Sequence, residues 1–582
     1  MPTTDHEQLP TKAKSYAALP LGWAALLLYL TLAPADKLPP QPHWQLLSFD
    51  TFAHAAFFAV QAALTWFSLR RQRRWPVLAR HAGWAVLLGC TAFGAIIEGL
   101  QMVLPFNRHG EWSDLISDSL GTAVALGLCY AAAPALQRRG WVLGLAGLLM
   151  ITGAQAQDMP RVRKTIETLA SPQMHGRGYV QQGDKVAAAY LRERLSKLQL
   201  QPLALDYAQP FVLNVNTFPA GVALNLNHNP FPQLGPTKRL RPGIDFIVSP
   251  ASGSGFLTKL HHLLYLDSII VNNQIEVRAF LLGSQEPCTV VLLDHYVQNA
   301  AKLPASIASR LDSVSAVIRI VPKLTASLSP TQVRKQMQLE ALPHPLLNTS
   351  KADNSLHAYG AEVRVDAQLQ RNYQTQNLAA IVRGTAQPDS FLVVSAHYDH
   401  LGMMGKNVYF PGANDNASGV AMLLELAAHY AKPENRPACS VVFLLFGAEE
   451  AGLVGSQYFV AHPLVPLRNI KFLLNLDLLG SGEQGATVVN GRIHEAAFRR
   501  LTALNDAHHY LPALGARGKA ANSDHYPFSE AGVPAFYMYL RGASKAYHDV
   551  NDTPATLTLA GFQGAFGLVR DFLNELGARP ER

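Results

Sequence analysis

The sequence predicts an α/β chain: a mostly parallel mixed sheet flanked by helices, preceded by an all-α multi-span membrane domain and interrupted by a small β-rich insert. Three observations predict it. The second half carries short apolar runs rich in Val, Phe and Leu, namely FLVVSAH, SVVFLLF, FLLNLD and VPAFYMY, as buried parallel strands do. Helical patterns separate them, as after Asn416, where Val420, Leu423, Leu424 and Ala427 recur at helical spacing. The first 156 residues belong to a different physical class, dominated by long apolar stretches.

Those stretches lie near 16–33, 52–69, 82–104, 117–135 and 141–156, several long enough to cross a hydrocarbon core of about 30 Å. Lys12 and Lys14 precede the first; Arg70, Arg71, Arg73, Arg74 and Arg80 separate the second from the third; Arg138 and Arg139 follow the fourth. By the positive-inside rule the amino terminus is cytoplasmic, and five crossings deliver everything after about residue 157 to the external, periplasmic side. The fifth stretch, RRG followed by WVLGLAGLLMITGAQAQ, also has the parts of a secretory signal peptide, with Ala154 and Ala156 at the cleavage-type position. His54, Glu98, Gln101, Arg108 and Asp114 are polar groups set in or near these apolar segments. Such groups are costly in a membrane, and are either functional or satisfy one another.

After the membrane segment, residues 158–202 read as an amphipathic helical lead-in containing TIETLASPQMHGRG and DKVAAAYLRERLSKLQL. Residues 240–350 break the pattern. There GSGFL, TVVLLD, AVIRIVP and HPLLNTS read as strands of the insert, leaving 157–239 and 351–582 for the main domain.

The strand ends of that main domain carry the chemistry. His397 in SAHYDHLG, Asp415 in GANDNASGV, Glu449 and Glu450 in LLFGAEEAGLVGS, Asp477 in LLNLDLLG and His548 in AYHDVNDTP are imidazoles and carboxylates, the donors a borderline cation such as zinc accepts. In open α/β sheets ligands gather beyond the carboxyl ends of strands, where His397, Glu449, Glu450 and Asp477 fall. Singly, each residue is more ordinarily a cap or a hydrogen-bonding partner; six in order carry the argument.

With those motifs the chain resembles the co-catalytic zinc aminopeptidases of clan MH, over roughly residues 158–575. The resemblance implies two zinc ions bridged by Asp415, with His397 and Asp477 completing one site and Glu450 and His548 the other. It implies Glu449 as general base toward a dizinc-bound water, and Asp399 as the carboxylate that orients the His397 imidazole. A glutamate near two cations is expected to be ionised at neutral pH without special tuning. The family's cis peptide after the bridging aspartate falls on Asp415-Asn416. Asp524 and His525, in NSDHYPFSEAGVPAF, match a stretch lining the family's cleft, whereas His400 lies past the motif and reads as structural. Residues 240–350 resemble a protease-associated insert. The segment 1–156 resembles a VanZ-like domain through SFDTFAHAAFF, GAIIEGLQ and FNRHGEWSDLISDSLG.

The expected function is a membrane-anchored zinc exopeptidase, an aminopeptidase acting on peptides outside the cytoplasmic membrane. Two other classes stand beside it. A glutaminyl cyclase-like enzyme would use one zinc, against which the complete ligand set argues. A catalytically silent ectodomain would leave the function to the membrane part, against which Glu449 argues. The net charge of +8 comes largely from the Arg clusters flanking apolar segments, so it points to anionic membrane lipid and not to nucleic acid. Of four cysteines, Cys90 and Cys129 fall in apolar helices, and Cys439 opens a buried strand as a free thiol.

Overall fold

The four apolar runs of the second half are strands of one sheet, each buried from end to end or nearly so. Cys439–Phe446, Gln387–His397, Ile470–Leu476 and Ala535–Leu540 lie side by side and parallel. This is a computed structural model; it describes residues 17–32, 49–71, 75–103, 112–136, 158–229, 237–283, 288–347 and 358–578. The chain divides into two units, Met1–Gln155 and Ala156–Arg582.

In the second unit the parallel strands form the centre of a nine-stranded sheet. Its flanks run the other way. Gln368–Val382 pairs antiparallel with Cys439–Phe446, and Ala486–Val489 antiparallel with Ala535–Leu540. The sheet is therefore parallel at its centre rather than throughout, and more mixed than the apolar runs alone suggest.

Helices cover it as the spacing predicts. Gly419–Tyr430 is buried along nearly its whole length, which is why it reads Val-Ala-Met-Leu-Leu rather than amphipathic; truncating Leu423 to Ala there costs about 2–5 kcal/mol. Its one buried charge, Glu425, accepts from Nε and Nη2 of Arg161 at 2.6 and 2.5 Å. That pair ties it to the helix Met159–Leu169, whose first turn Asp158 caps by accepting from the Arg161 N–H. Met159–Leu169 and Gly183–Lys197 are the expected lead-in helices, and Phe562–Gly577 packs its Phe and Leu face into the same core.

The insert differs from the expectation in extent and composition. A second, eight-stranded sheet includes Val222–Asn227 and Gly360–Val365, paired antiparallel, so it reaches past both ends of 240–350. Four strands, Gly255–Leu266, Thr289–Leu292, Ala316–Ile320 and Met337–Ala341, run parallel, and the helices Gln274–Leu282 and Ala305–Ser313 connect them. The insert is thus itself α/β, because parallel neighbours need crossover connections. HPLLNTS is not a strand: Pro345–Leu347 forms a 3-10 turn, and residues 348–350 lie outside the described residues.

The first unit is helical: Ala18–Leu32, Phe49–Arg71, Ala82–Val103 and Trp112–Leu136, around a core that includes Phe58, Trp66, Val86 and Ile97. Among the described residues one helix, over Ala82–Gln101, is long and apolar enough to cross a membrane; Ala18–Tyr29 and Leu115–Tyr130 are apolar but shorter. Lys12, Lys14, Arg73, Arg74, Arg108, Arg138, Arg139 and the stretch 141–156 lie outside the described residues. Cys90, Cys288 and Cys439 are buried, Cys129 is half-buried, and none of the four is in a disulfide.

Candidate metal centre

The strand order gathers the site. His397 ends its strand, Asp477 follows Ile470–Leu476, and Glu449 and Glu450 follow Cys439–Phe446 by a short turn in which Ala448 takes φ 59°. Asp415 enters from a loop stitched to the Asp477 strand end. Asn416 Nδ2 donates to the Leu476 carbonyl at 3.0 Å, the Leu479 N–H donates to Ser418 Oγ at 2.7 Å, and the Gly480 N–H donates to Asn414 Oδ1 at 2.8 Å. These bonds explain the Asn and Ser content of the GANDNASG motif. The Asp415-Asn416 peptide is cis, as the resemblance implies.

The five candidate ligands converge in two lobes around one carboxylate. Asp415 Oδ1 lies 3.3 Å from His397 Nε2, and Asp415 Oδ2 lies 3.3 Å from His548 Nε2. On the first side Asp477 Oδ1 is 3.4 Å from His397 Nε2; on the second, Glu450 Oε2 is 3.0 Å from His548 Nε2. Glu449 Oε2 sits 4.0 Å from His397 Nε2, and Glu449 with His397 and Asp477 forms one compact donor group while Glu450 with His397 and Asp415 forms another. These donors fit zinc: both imidazoles present Nε2, the remainder are carboxylates, and the buried Asp477 Oδ1 meets no donor in hydrogen-bonding geometry.

Each imidazole is aimed from behind. His548 Nδ1 donates to the Ala326 carbonyl at 2.9 Å, and the Ala326 N–H donates to the His548 carbonyl at 2.9 Å, so a loop of the insert turns Nε2 inward. His397 Nδ1 is nearer the Asp399 backbone carbonyl, at 3.3 Å, than its carboxylate, at 3.8 Å. The Asp399 carboxylate instead accepts the N–H groups of Glu449 and Glu450, at 3.1 and 3.3 Å, and so fixes the backbone that carries both side chains.

The electrostatics follow from burying so many carboxylates together. Burial alone would lower His397, but Asp477, Glu449 and Asp415 outweigh it and hold the imidazole well above its usual range. His548 is likewise lifted against burial by Glu450 and Asp415, to about 11. Asp415 is held well below the carboxylate range by the histidines despite its burial, and burial leads in raising Asp399 to about 8. In the metal-free cluster Glu449 is raised. Burial first, then Glu450, Asp524 and Asp477, push it well above the usual range against the pull of His397, so its ionisation depends on positive charge held in the cluster.

Three residues outside the motif reading belong to the site. His400 Nδ1 lies 2.7 Å from Glu450 Oε1 and is fully buried, so it bears directly on a candidate ligand. Asp552 accepts the N–H groups of Asn414 and Asp415 at 2.9 to 3.0 Å. Arg177, also fully buried, uses all five donors on backbone carbonyls: Tyr398, Leu169, Pro411, Gly412 and Asp415. It arrives through a turn in which Gly176 takes φ 62° with an ideal Cβ 2.3 Å from the Gly402 carbonyl, a place only glycine fits. Its GRG context was the available signal. Asp524 and His525 are both fully buried, and the Asp524 carboxylate lies near enough to Glu449 to help raise it.

Comparison with known proteins agrees with this geometry. The model of peptidase family M28 matches residues 377–573. Aminopeptidase YwaD of Bacillus subtilis is 29% identical over 198 residues, covering 32% of this chain and 41% of that protein. A protein of Pyricularia oryzae described as a probable zinc metalloprotease is 40% identical over 107 residues, covering 18% and 21%. The chain thus spans less than half the length of these curated relatives. Among solved structures, the zinc aminopeptidase BSAP from Bacillus subtilis superposes with a TM-score of 0.53 at 19% identity, over 73% of this chain and 96% of that one. Residues 377–573 thus match the model of peptidase family M28, and the second unit has a mixed α/β fold similar to that of a zinc aminopeptidase.

Proposed function

We propose that the protein is a membrane-anchored, zinc-dependent exopeptidase of aminopeptidase type, acting on peptides outside the cytoplasmic membrane. The observation that carries the reading is Asp415, whose two oxygens each face a different histidine at 3.3 Å, the arrangement a carboxylate shared by two cations requires. His397 and Asp477 would hold one zinc and Glu450 and His548 the other, with Asp415 common to both. When bound, the ions supply Lewis-acid activation of water and polarisation of the peptide carbonyl.

The chain's own residues do the rest. Glu449 takes the proton from water and returns it to the leaving amine; the raised proton affinity that burial confers suits a group that must both accept and release. Asp399 fixes the backbone that carries it, through the Glu449 and Glu450 N–H groups. The Ala326 carbonyl and the His548 N–H keep one ligand in its metal-facing tautomer.

Membrane anchoring is supported by the apolar helix over Ala82–Gln101 and by outward-facing rows at four-residue spacing: Trp84 and Leu88 on one helix, and Ile116, Leu120, Val124 and Leu128 on another. The basic pair Arg70 and Arg71 closes the helix Phe49–Arg71, consistent with a cytoplasmic end there and an external peptidase.

Purified full-length protein is assayed on amino-terminal aminoacyl reporters and carboxyl-terminal reporters, with and without added zinc. Zinc-dependent release from aminoacyl reporters, reduced on the order of 100-fold to 10,000-fold in Glu449→Gln, is the expected result. Cyclisation of amino-terminal glutamine without hydrolysis would contradict it.

A further inference from the structure

Far along the sequence from the peptidase motifs, the helical unit holds a second convergence of metal-type donors. His54 on Phe49–Arg71, Glu98 on Ala82–Val103 and Asp118 on Trp112–Leu136 each offer one ligand atom, and the three atoms lie within 4.8 Å of one another. All three side chains are buried, at 5%, 4% and 0% exposure. We propose that they form a binding site for one divalent transition-metal ion of the zinc or manganese class, independent of the peptidase site.

The backbone is arranged to make this meeting possible. An ideal Cβ on Gly121 would stand 2.0 Å from the Ala55 carbonyl, so the helices carrying His54 and Asp118 touch backbone to backbone beside these two residues. That approach sets His54 Nδ1 3.1 Å from Asp118 Oδ1. On the third helix, a Cβ at Gly94 would stand 2.7 Å from Asp118 Oδ2, so glycine, one turn before Glu98, leaves the carboxylate its space. Asp118 Oδ2 is buried with no hydrogen-bond partner, an acceptor built into the interior without a donor. An ionisable acceptor enclosed among apolar helices is costly, and a cation at this point would satisfy it.

The donor chemistry selects the ion. One imidazole with two carboxylates suits zinc, manganese or ferrous iron, while calcium and magnesium favour all-oxygen shells. Bonds of about 2.0–2.2 Å place donors roughly 3–4 Å apart, so side-chain rotation closes the present spacing. One ion would then pin three helices at a single point.

The test uses the full chain in detergent, stripped with chelator, reloaded with zinc alone or manganese alone, and counted by elemental mass spectrometry. Cys90, buried in the same helical core, reports the fold of this unit through its rate of thiol labelling. Asp118→Asn and His54→Gln are expected to hold one ion per chain fewer than the unmutated protein, with Cys90 still protected and aminoacyl-reporter turnover unchanged. An equal ion count in protected variants overturns the proposal. If a variant exposes Cys90, the unmutated chain decides. Removing metal should speed Cys90 labelling, and adding zinc or manganese should slow it again, including in Asp415→Asn, where the peptidase site is impaired. Labelling indifferent to metal overturns the site.

Discussion

Replacing Arg177 with lysine should loosen the peptidase site without touching a ligand. The guanidinium makes five hydrogen bonds of 2.7 to 3.1 Å to buried carbonyls on both sides of the Asp415 loop, and it remains charged at neutral pH even though burial lowers it to about 10. A lysine ammonium has three donors, so at least two carbonyls lose their partner. At about 1–3 kcal/mol for each orphaned buried acceptor, the unit should lose roughly 2–6 kcal/mol. All tryptophans lie before residue 157, so urea midpoints are best read by pulse proteolysis of the carboxyl-terminal unit. The midpoint should fall, and zinc retention should fall with it, because Pro411, Gly412 and Asp415 are three of the five acceptors. Stability within 0.5 kcal/mol of the unmutated protein, on the order of the usual change at an uninvolved site, together with full zinc retention, would show that the Arg177 bonds do not hold the Asp415 loop.

Three further outcomes follow from the same geometry. His400→Ala removes the 2.7 Å contact to Glu450 and should weaken zinc on the Glu450 and His548 side by about 10- to 100-fold, measured by competition with a chelating dye; unchanged affinity would make His400 merely structural. In the metal-free protein the raised His548, at about 11, and the raised His397 both carry protons at pH 7. Zinc must displace those protons, so affinity should rise with pH and calorimetry in buffers of different ionisation heat should register proton release; uptake without release contradicts it. Protease added to intact spheroplasts should digest the region after Asp158 and spare the Arg70–Arg80 loop, whereas protection until permeabilisation would place the peptidase in the cytoplasm.

The clustering of donors was legible because each of His397, Glu449, Glu450 and Asp477 closes or follows an apolar parallel strand, and both the strand period and its polar end are local features. The helix Gly419–Tyr430 and the free Cys439 were legible for the same reason. Non-local features were not. Asn225 and Glu362 pair across 137 residues, so the strands Val222–Asn227 and Gly360–Val365 fall outside any window that marks 240–350. Arg177 acts on carbonyls more than 220 residues away in the case of Tyr398, Pro411, Gly412 and Asp415. In HPLLNTS the apolar pair suggested a strand, but Pro345 brings a fixed φ and no N–H for a ladder. The Asp118 side of the helical cluster escaped notice because its partners sit on other helices, and only the close approach at Gly121 brings them together.

Anomalous scattering at the zinc edge, from crystals of zinc-loaded protein, shows whether the donor cluster holds one ion or two. Two peaks are expected to flank the Asp415 carboxylate, one against His397 and Asp477 and one against Glu450 and His548. A single peak there, with one lobe of the donor set empty under saturating zinc, would contradict the two-ion arrangement.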